Sequence, residues 1–429
     1  MTIAAHTLGC KLNYAETSDL LRRLGEEGHT IVEWGSVADL YVVNTCTVTA
    51  VAEKKCRNAI RQAHRQNPDA QIVVMGCFAQ VAAKEIEYIP GVTLVLGNEQ
   101  KHLLPQIIRN EKLGIRNYAT HPIPDSSLQI PNFQLQWSSC EDRTRTFFKI
   151  QDGCDYFCTY CAIPFARGRS RSATIEETLC AARRIADSGT KEVILTGVNT
   201  GTFGKNNGEN FLELLEQLDK LEGILRYRIS SIEPNLLTDE IIDFVVRSHH
   251  FLPHFHIPLQ AGSDHVLRLM HRRYDTALYR SKLERIKHVM PDACIAADVM
   301  AGFNGESEEE FDKVLSFIDS LPISYLHVFT YSDRPGTAAL KMGEKIPIHV
   351  RHEHTARLLE LSEKKHKAFI DSQLGKTRLV LWEATEHGGA MFGWTDNYIR
   401  VARPYDPSLV NTVEEVTLRE GNIVSTTDH

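Results

Sequence analysis

Cys154, Cys158 and Cys161 lie on one short stretch, spaced Cys-x3-Cys-x2-Cys, directly after the apolar run Thr146 to Ile150. Thiolates at that spacing can each hold one iron of a cubane iron–sulfur cluster, while the fourth iron keeps no protein ligand and stays open to a substrate. Zinc is the rival, but a structural zinc wants four ligands, and no fourth Cys or His lies in the loop. A second trio is scattered along the chain: Cys10, Cys46 and Cys77 each follow a short apolar run. If those runs are parallel strands, the three thiols meet at one sheet edge, where α/β folds bind ligands, and invite a metal. Three inert core cysteines are the alternative. Cys56 falls inside a helical pattern and reads as structural. There are ten cysteines in all, and in a reducing, cytoplasmic setting metal binding or catalysis explains them better than disulfides.

The elements that must position these residues follow from apolar periodicity. Thr2 to Leu8, Leu40 to Val43, Gln71 to Met75 and Val92 to Leu96 predict buried strands, alternating with helices at Asn13 to Leu24, Val51 to Gln66 and Val81 to Ile89. That alternation predicts a parallel sheet. Pro122, Pro124 and Pro131 break the pattern, and a linker is placed at residues 126–142. Beyond it Thr146 to Ile150, Glu192 to Thr196, Ile224 to Ser230, His254 to Leu259, Cys294 to Met300 and Tyr325 to Tyr331 make six strands of a partial β/α barrel, with the cysteine loop at its carboxyl rim. A helix from about Ile348 to Ser372 leads to residues 374–429, whose short alternating runs predict a small β-barrel. With 429 residues, two or three domains are expected. The net charge of −7 excludes a strongly basic whole, so an RNA site must be a local patch. No run of about 18 apolar residues occurs, so no membrane span is expected and the chain reads as cytoplasmic.

The cysteine loop, with Tyr160 just before its last cysteine, resembles the signature of the radical S-adenosylmethionine (SAM) superfamily. Thr7-Leu8-Gly9-Cys10-Lys11-Leu12-Asn13-Tyr14, Val43-Asn44-Thr45-Cys46-Thr47-Val48-Thr49 and Gly76-Cys77 resemble the amino-terminal domain of the methylthiotransferases within it, and Ile163 to Ser172 and Ser332 to Thr337 fit the same family. The resemblance spans essentially the whole chain. It is strongest to the branch that thiomethylates N6-threonylcarbamoyladenosine at position 37 of tRNA, because the isopentenyladenosine branch usually has Gln and Met at Lys11 and Leu12, and the ribosomal-protein branch usually has Pro after the first cysteine. One departure is Phe303-Asn304-Gly305, where the family commonly has Phe-Pro-Gly.

The resemblance implies a methylthiotransferase domain at 1–125, the linker at 126–142, a radical SAM partial (β/α)6 barrel at 143–373 and a TRAM-like, RNA-binding β-barrel at 374–429. It implies that Cys154, Cys158 and Cys161 hold a 4Fe-4S cluster that binds and cleaves SAM, and that Cys10, Cys46 and Cys77 hold a second 4Fe-4S cluster that supplies the sulfur. The adenine C2–H has no useful acidity, so a 5′-deoxyadenosyl radical is needed to activate it. SAM contacts carry over to Tyr160, Thr196, Gly197, Asn199, Ser230, Glu233, Gln260 and Asp298; a strand-end cap or a core hydrogen bond is the plain alternative at each. No classical acid–base residue is expected, and His256 reads as a packed core histidine. For RNA, Arg167, Arg169 and Arg171 form a basic run beyond the cluster loop, with a solvated charged face as the plain alternative, and Trp394 and Tyr398 beside Arg400 offer stacking faces, with filling of the small core as theirs. The tail itself carries five basic against eight acidic residues, so RNA binding there needs one concentrated face. The expected partners are a tRNA anticodon stem-loop and an electron donor such as flavodoxin or ferredoxin, the expected state a monomer. Competing readings keep the chemistry but move the substrate to isopentenyladenosine tRNA or a ribosomal-protein side chain, or make the chain a non-catalytic iron–sulfur RNA-binding or redox protein.

Overall fold

The computed structural model describes residues 1–110, 133–139 and 144–424. Pro122, Pro124, Pro131 and most of the expected linker lie outside them. The chain divides into two compact units: residues 1–139, 147–172 and 332–340 form the first, and residues 140–146, 173–331 and 341–429 the second.

In the first unit the four predicted strands and one more, Thr30–Val32, form one parallel sheet in the spatial order Thr30–Val32, Thr2–Thr7, Leu40–Thr45, Gln71–Gly76, Val92–Leu96. Leu40–Thr45 is buried along its whole length, as the sequence LYVVNT requires of a strand covered on both faces. Ile3, Val42, Val73 and Met75 face the helices Lys11–Glu26 and Leu104–Arg109; Ala4, Tyr41, Val43 and Val74 face Ala50–Gln66. The edge strand Thr30–Val32 was not foreseen, being too short to show a period. The predicted helix Val81 to Ile89 is two short helices, Cys77–Val81 and Ala83–Glu87, because Ala82 leaves helical backbone. The chain winds one way from Thr2–Thr7 and the other way from Leu40–Thr45, so a crevice opens at the carboxyl ends of these two neighbours.

In the second unit Glu192–Thr196 pairs in parallel with Arg226–Ile229, and Cys294–Ala301 lies between His254–His256 and Tyr325–Thr330, also in parallel. Bridges from Tyr227 to Phe251 and from Ser231 to His256 join the two sets. These are five of the six strands expected of the partial barrel; the sixth, Arg145–Lys149, begins in this unit and ends in the first. Residues 377–417 form a curled antiparallel sheet, ordered Arg400–Pro404, Ala390–Thr395, Thr377–His387, Val413–Thr417. Its Val380, Trp382, Met391 and Val401 share one core with Cys294, Ala296 and Tyr325 of the barrel strands.

That contact also carries a buried ionic cluster. Glu192 meets Arg228 Nε at 2.8 Å and Arg226 Nε at 3.0 Å, and Arg228 donates onward to the carbonyls of Thr395 (2.6 Å) and Asp396 (2.8 Å). Burial opposes ionisation of Glu192, but Arg228, Arg226 and Arg145 outweigh it and hold the carboxyl at about 2. No helix among the described residues is long and apolar enough to cross a membrane.

Candidate iron–sulfur and SAM site

The first unit brings Cys10, Cys46 and Cys77 to the carboxyl edge of its sheet. Cys10 precedes the helix Lys11–Glu26, Cys46 follows Leu40–Thr45, and Cys77 opens the helix Cys77–Val81 after Gly76 at φ 99°. Gly9, at φ 103°, passes so close to Cys46 that a Cβ there would lie 2.7 Å from its Cβ and 2.9 Å from its Sγ; only glycine fits. Asn13 and Asn44 knit the turns together: Asn13 Nδ2 donates to the carbonyls of Leu8 (2.8 Å) and Thr45 (3.0 Å), and Asn44 Nδ2 to that of Asn13 (3.0 Å). Asn98 donates to Cys77 Sγ at 3.6 Å. Burial, with the Cys10 and Cys77 thiols adding to it, pushes Cys46 up to about 12. Thiols gathered in this way repel as thiolates, and a metal is what offsets that repulsion; loading it releases protons. Cys56 is not in the trio: its Sγ accepts the Cys46 N–H at 3.4 Å, a structural role as expected.

The same unit holds the loop of Cys154, Cys158 and Cys161, with no disulfide among the described cysteines. Cys154 N–H bonds the Gly168 carbonyl at 3.1 Å, Cys161 N–H that of Cys158 at 3.0 Å, and Gln151 Nε2 spans the loop to the carbonyls of Asp152 and Gly153. Gly153 (φ 70°) admits no side chain, because a Cβ would lie 2.6 Å from the Arg169 carbonyl carbon. Phe157 is held at φ 51°, an unusual conformation for a residue with a side chain, and Tyr160 is half-buried. Two cysteine trios with glycine cradles suit polynuclear iron–sulfur groups in donor type and number.

Beside Cys10 and Cys77 runs a buried charge network that includes Asp152, two residues before Cys154; no local pattern reveals it, because Glu16 and Lys101 lie far in the chain from Lys149, Asp152 and Arg167. Glu16 accepts Lys149 Nζ at 2.8 Å, Arg167 Nη1 at 3.1 Å and the ammonium of Lys101. Asp152 accepts Arg167 Nη1 at 2.9 Å, Lys149 at 3.0 Å and Arg171 Nη2 at 3.2 Å. Burial opposes ionisation of both carboxyls, yet the surrounding cations hold them well below the ordinary range. Arg167 is 2% exposed and faces Cys77 and Cys10. This corrects the expected RNA-facing run: Arg167 is locked inside, Arg171 is half-buried and bonded to Asp152 and to the Arg167 carbonyl, and only Arg169 is exposed.

The remaining candidates lie in the second unit, apart from Tyr160. Thr196 and Asn199 are buried at the end of Glu192–Thr196 with Gly197 between them; Thr196 Oγ1 donates to the Ile194 carbonyl. Ser230 Oγ is buried with no hydrogen-bond partner among the described residues, an orphan that suits a bound ligand. Glu233 is paired with Arg272. Gln260 stands at φ 65°, its N–H bonded to the Asp298 carbonyl at 2.7 Å. Asp298 meets His256 Nε2 at 2.8 Å, so His256 is a bonded partner of a strand-end carboxylate rather than plain core; burial opposes ionisation of Asp298, and His256, His327 and Arg272 overcome it. The stacking faces expected for RNA are already covered: Tyr398 stacks on Trp394 and on His254, the Arg145 guanidinium lies 4.6 Å from the Trp394 ring centre, and Arg228 lies 5.0 Å from that of Tyr398. Trp394 and Tyr398, both half-buried, thus pack the C-terminal sheet against barrel strands, as the packing alternative to RNA stacking requires. Arg400 lies 4.3 Å from the Phe392 ring centre.

Asn304, in the place of the family proline, is buried and accepts Arg351 Nη2 at 3.3 Å. The same turn is clamped by His354, whose Nδ1 meets Glu306 at 3.0 Å and Nε2 meets Glu308 at 2.9 Å. Both ring nitrogens face carboxylates, so the imidazolium is the bonded form; burial lowers the pKa of His354, but the two carboxylates raise it overall. Its stabilisation is full below the ordinary histidine range and is lost as pH rises through the raised folded value. Thermal melts from pH 6 to 9 should show a loss of stability that His354→Gln flattens.

Residues 2–97 match the model of an uncharacterised protein family, UPF0004, and residues 148–318 that of the radical SAM superfamily. The chain is 38% identical to the threonylcarbamoyladenosine tRNA methylthiotransferase MtaB of Bacillus subtilis, over 97% of this chain and 93% of that one. It is 36% identical to the protein of the same name from Aquifex aeolicus, over 94% and 97%. Among solved structures, the radical SAM methyltransferase TsrM of Kitasatospora setae shares the fold at a TM-score of 0.54 and 14% identity, covering 77% of this chain and 74% of that one. With the two cysteine trios in place and relatives matched from end to end, the chain belongs to the radical SAM methylthiotransferases, in the family of the threonylcarbamoyladenosine tRNA methylthiotransferases.

Proposed function

We propose that this chain transfers a methylthio group to C2 of N6-threonylcarbamoyladenosine at position 37 of tRNA, with SAM and two 4Fe-4S clusters as cofactors. One juxtaposition supports it above all: the edge of Cys10, Cys46 and Cys77 and the loop of Cys154, Cys158 and Cys161 belong to one compact unit and share one buried charge network. The chemistry that such clusters supply when bound is reductive cleavage of SAM at one site and sulfur delivery at the other.

The chain's own residues do the rest. The two trios give up thiol protons on loading; burial pushes the Cys10 thiol up, and the Arg167 guanidinium beside it opposes that rise. Asn98 orients Cys77. The Ser230 hydroxyl, with Thr196, Gly197, Asn199, Glu233, Gln260 and Asp298, offers SAM its polar contacts. A base in the single-stranded anticodon loop can be splayed out without melting a duplex, which suits position 37 as a target. The four-part division at 1–125, 126–142, 143–373 and 374–429, an RNA-binding tail, a monomeric state and a flavodoxin or ferredoxin as reductant belong to the same proposal.

Iron analysis tests the cofactor count. Reconstituted protein should hold about eight iron per chain, and the Cys10, Cys46, Cys77 triple alanine variant about four while still cleaving SAM. An undiminished iron content in that variant contradicts the second cluster.

A further inference from the structure

The helix Ala50–Gln66 buries Cys56, Ala59, Ile60 and Ala63 and turns its other face outward. That exposed face carries Val51, Lys54, Lys55, Asn58, Arg61, Gln62 and Arg65, at spacings of three and four that trace one stripe along the helix. Four of the seven are cations and none is an acid. The helix has a single acid, Glu53, which is turned away and bonded to Thr47 Oγ1 (2.8 Å) and Arg334 Nη1 (2.7 Å). Arg57, the helix's remaining cation, is consumed by Glu85 at 2.6 Å. Lys54, Lys55, Arg61 and Arg65 pair with no carboxylate among the described residues.

An ordinary solvated face intersperses both signs. Here a chain of net charge −7 concentrates one sign on one stripe. From Lys54 to Arg65 the stripe runs about 16 Å at a rise of about 1.5 Å per residue. One strand of B-form duplex presents a phosphate per about 3.4 Å of helix axis, and successive phosphates along the strand itself lie farther apart, so a few phosphates lie within its reach. The helix starts at Ala50, shortly after Cys46, with Thr49 Oγ1 accepting the Ala52 N–H at 3.1 Å, so its near end is tied to the cysteine edge.

We propose that this stripe grips the phosphate backbone of the tRNA substrate, a role sought by sequence in Arg167 and Arg171, which the fold keeps for its own charge network. The assignment rests on the proposed tRNA substrate. Arginine and lysine on one exposed helix face hold phosphates by charge and carry no sequence information, so the stripe orients the RNA and leaves the choice of nucleoside to the catalytic site.

The test is the salt dependence of tRNA binding by reconstituted full-length protein and its Lys54→Ala, Lys55→Ala, Arg61→Ala, Arg65→Ala quadruple variant. Alanine is the best helix former, and these positions touch no core, so the fold is kept. The slope of log affinity against log salt should become shallower by about 3, at about 0.7 to 0.9 per lost phosphate contact, with binding at least about tenfold weaker near 0.1 M salt. A variant that swaps the Lys and Arg identities at these four positions should keep the original slope. Release of 5′-deoxyadenosine without RNA should be unchanged in both. A quadruple variant that matches the parent overturns the stripe alone; a parent that binds no tRNA overturns the RNA substrate, and the stripe with it.

Discussion

Cys154→Ala should bring release of 5′-deoxyadenosine from SAM, in reduced and anaerobically reconstituted protein, down to background, a loss of at least about 10^3-fold. The backbone bond that shapes the loop, Cys154 N–H to the Gly168 carbonyl, does not need the thiol. Alanine therefore leaves the loop intact and removes one iron ligand. Cys180→Ser, on the exposed face of the helix Ile175–Asp187, is the control and should leave SAM cleavage as it was. Cleavage surviving in Cys154→Ala would remove this loop from the chemistry, whatever became of the other trio.

Glu16→Gln should be the most destabilising single change in the first unit. Glu16 is 1% exposed and takes charge from Lys101, Lys149 and Arg167 at once. Without it, Asp152 alone faces three buried cations, and removing one partner of a buried ionic group costs about 3–5 kcal/mol because the stranded charges stay desolvated. Lys101 feels this first, since burial already draws it down to about 8 with Glu16 in place. A fall of roughly 10 °C in melting temperature is expected, together with poorer iron retention, because Arg167, left with Asp152 and Asn13, loses one of the partners that fix it beside Cys77 and Cys10. An unchanged melting temperature with full iron content would show that the network is dispensable.

How far the sequence carried the structure depended on whether each feature is local. The alternation of apolar runs placed Leu40–Thr45 and Gln71–Gly76 nearly to the residue, since strands buried on both faces are continuous apolar words. Cys10, Cys46 and Cys77 could be grouped from sequence because strand-end positions converge in any parallel sheet, and Cys154, Cys158 and Cys161 because they share one loop. Thr30–Val32 and the break at Ala82 were not, because one is too short for a period and the other is a single backbone rotation. The arginine run misled for a related reason: alternation with small residues suggests exposure, but Arg167 faces two carboxylates, one of which, Glu16, is 151 positions away. For Trp394 and Tyr398 the sequence left stacking on RNA and packing in the core side by side, since the residues that pack on them, Arg145, Arg228 and His254, come from distant barrel strands. The basic stripe of Ala50–Gln66 needs the burial of Glu53 and the pairing of Arg57 to become visible.

The proposed reaction is read out by anaerobic incubation of the reconstituted protein with SAM, a strong reductant and an anticodon stem-loop carrying N6-threonylcarbamoyladenosine, followed by nuclease digestion and mass spectrometry of the nucleosides. A methylthio gain on that nucleoside is expected, in step with 5′-deoxyadenosine. Formation of 5′-deoxyadenosine with no gain there, or a gain on isopentenyladenosine in a parallel stem-loop instead, would contradict it.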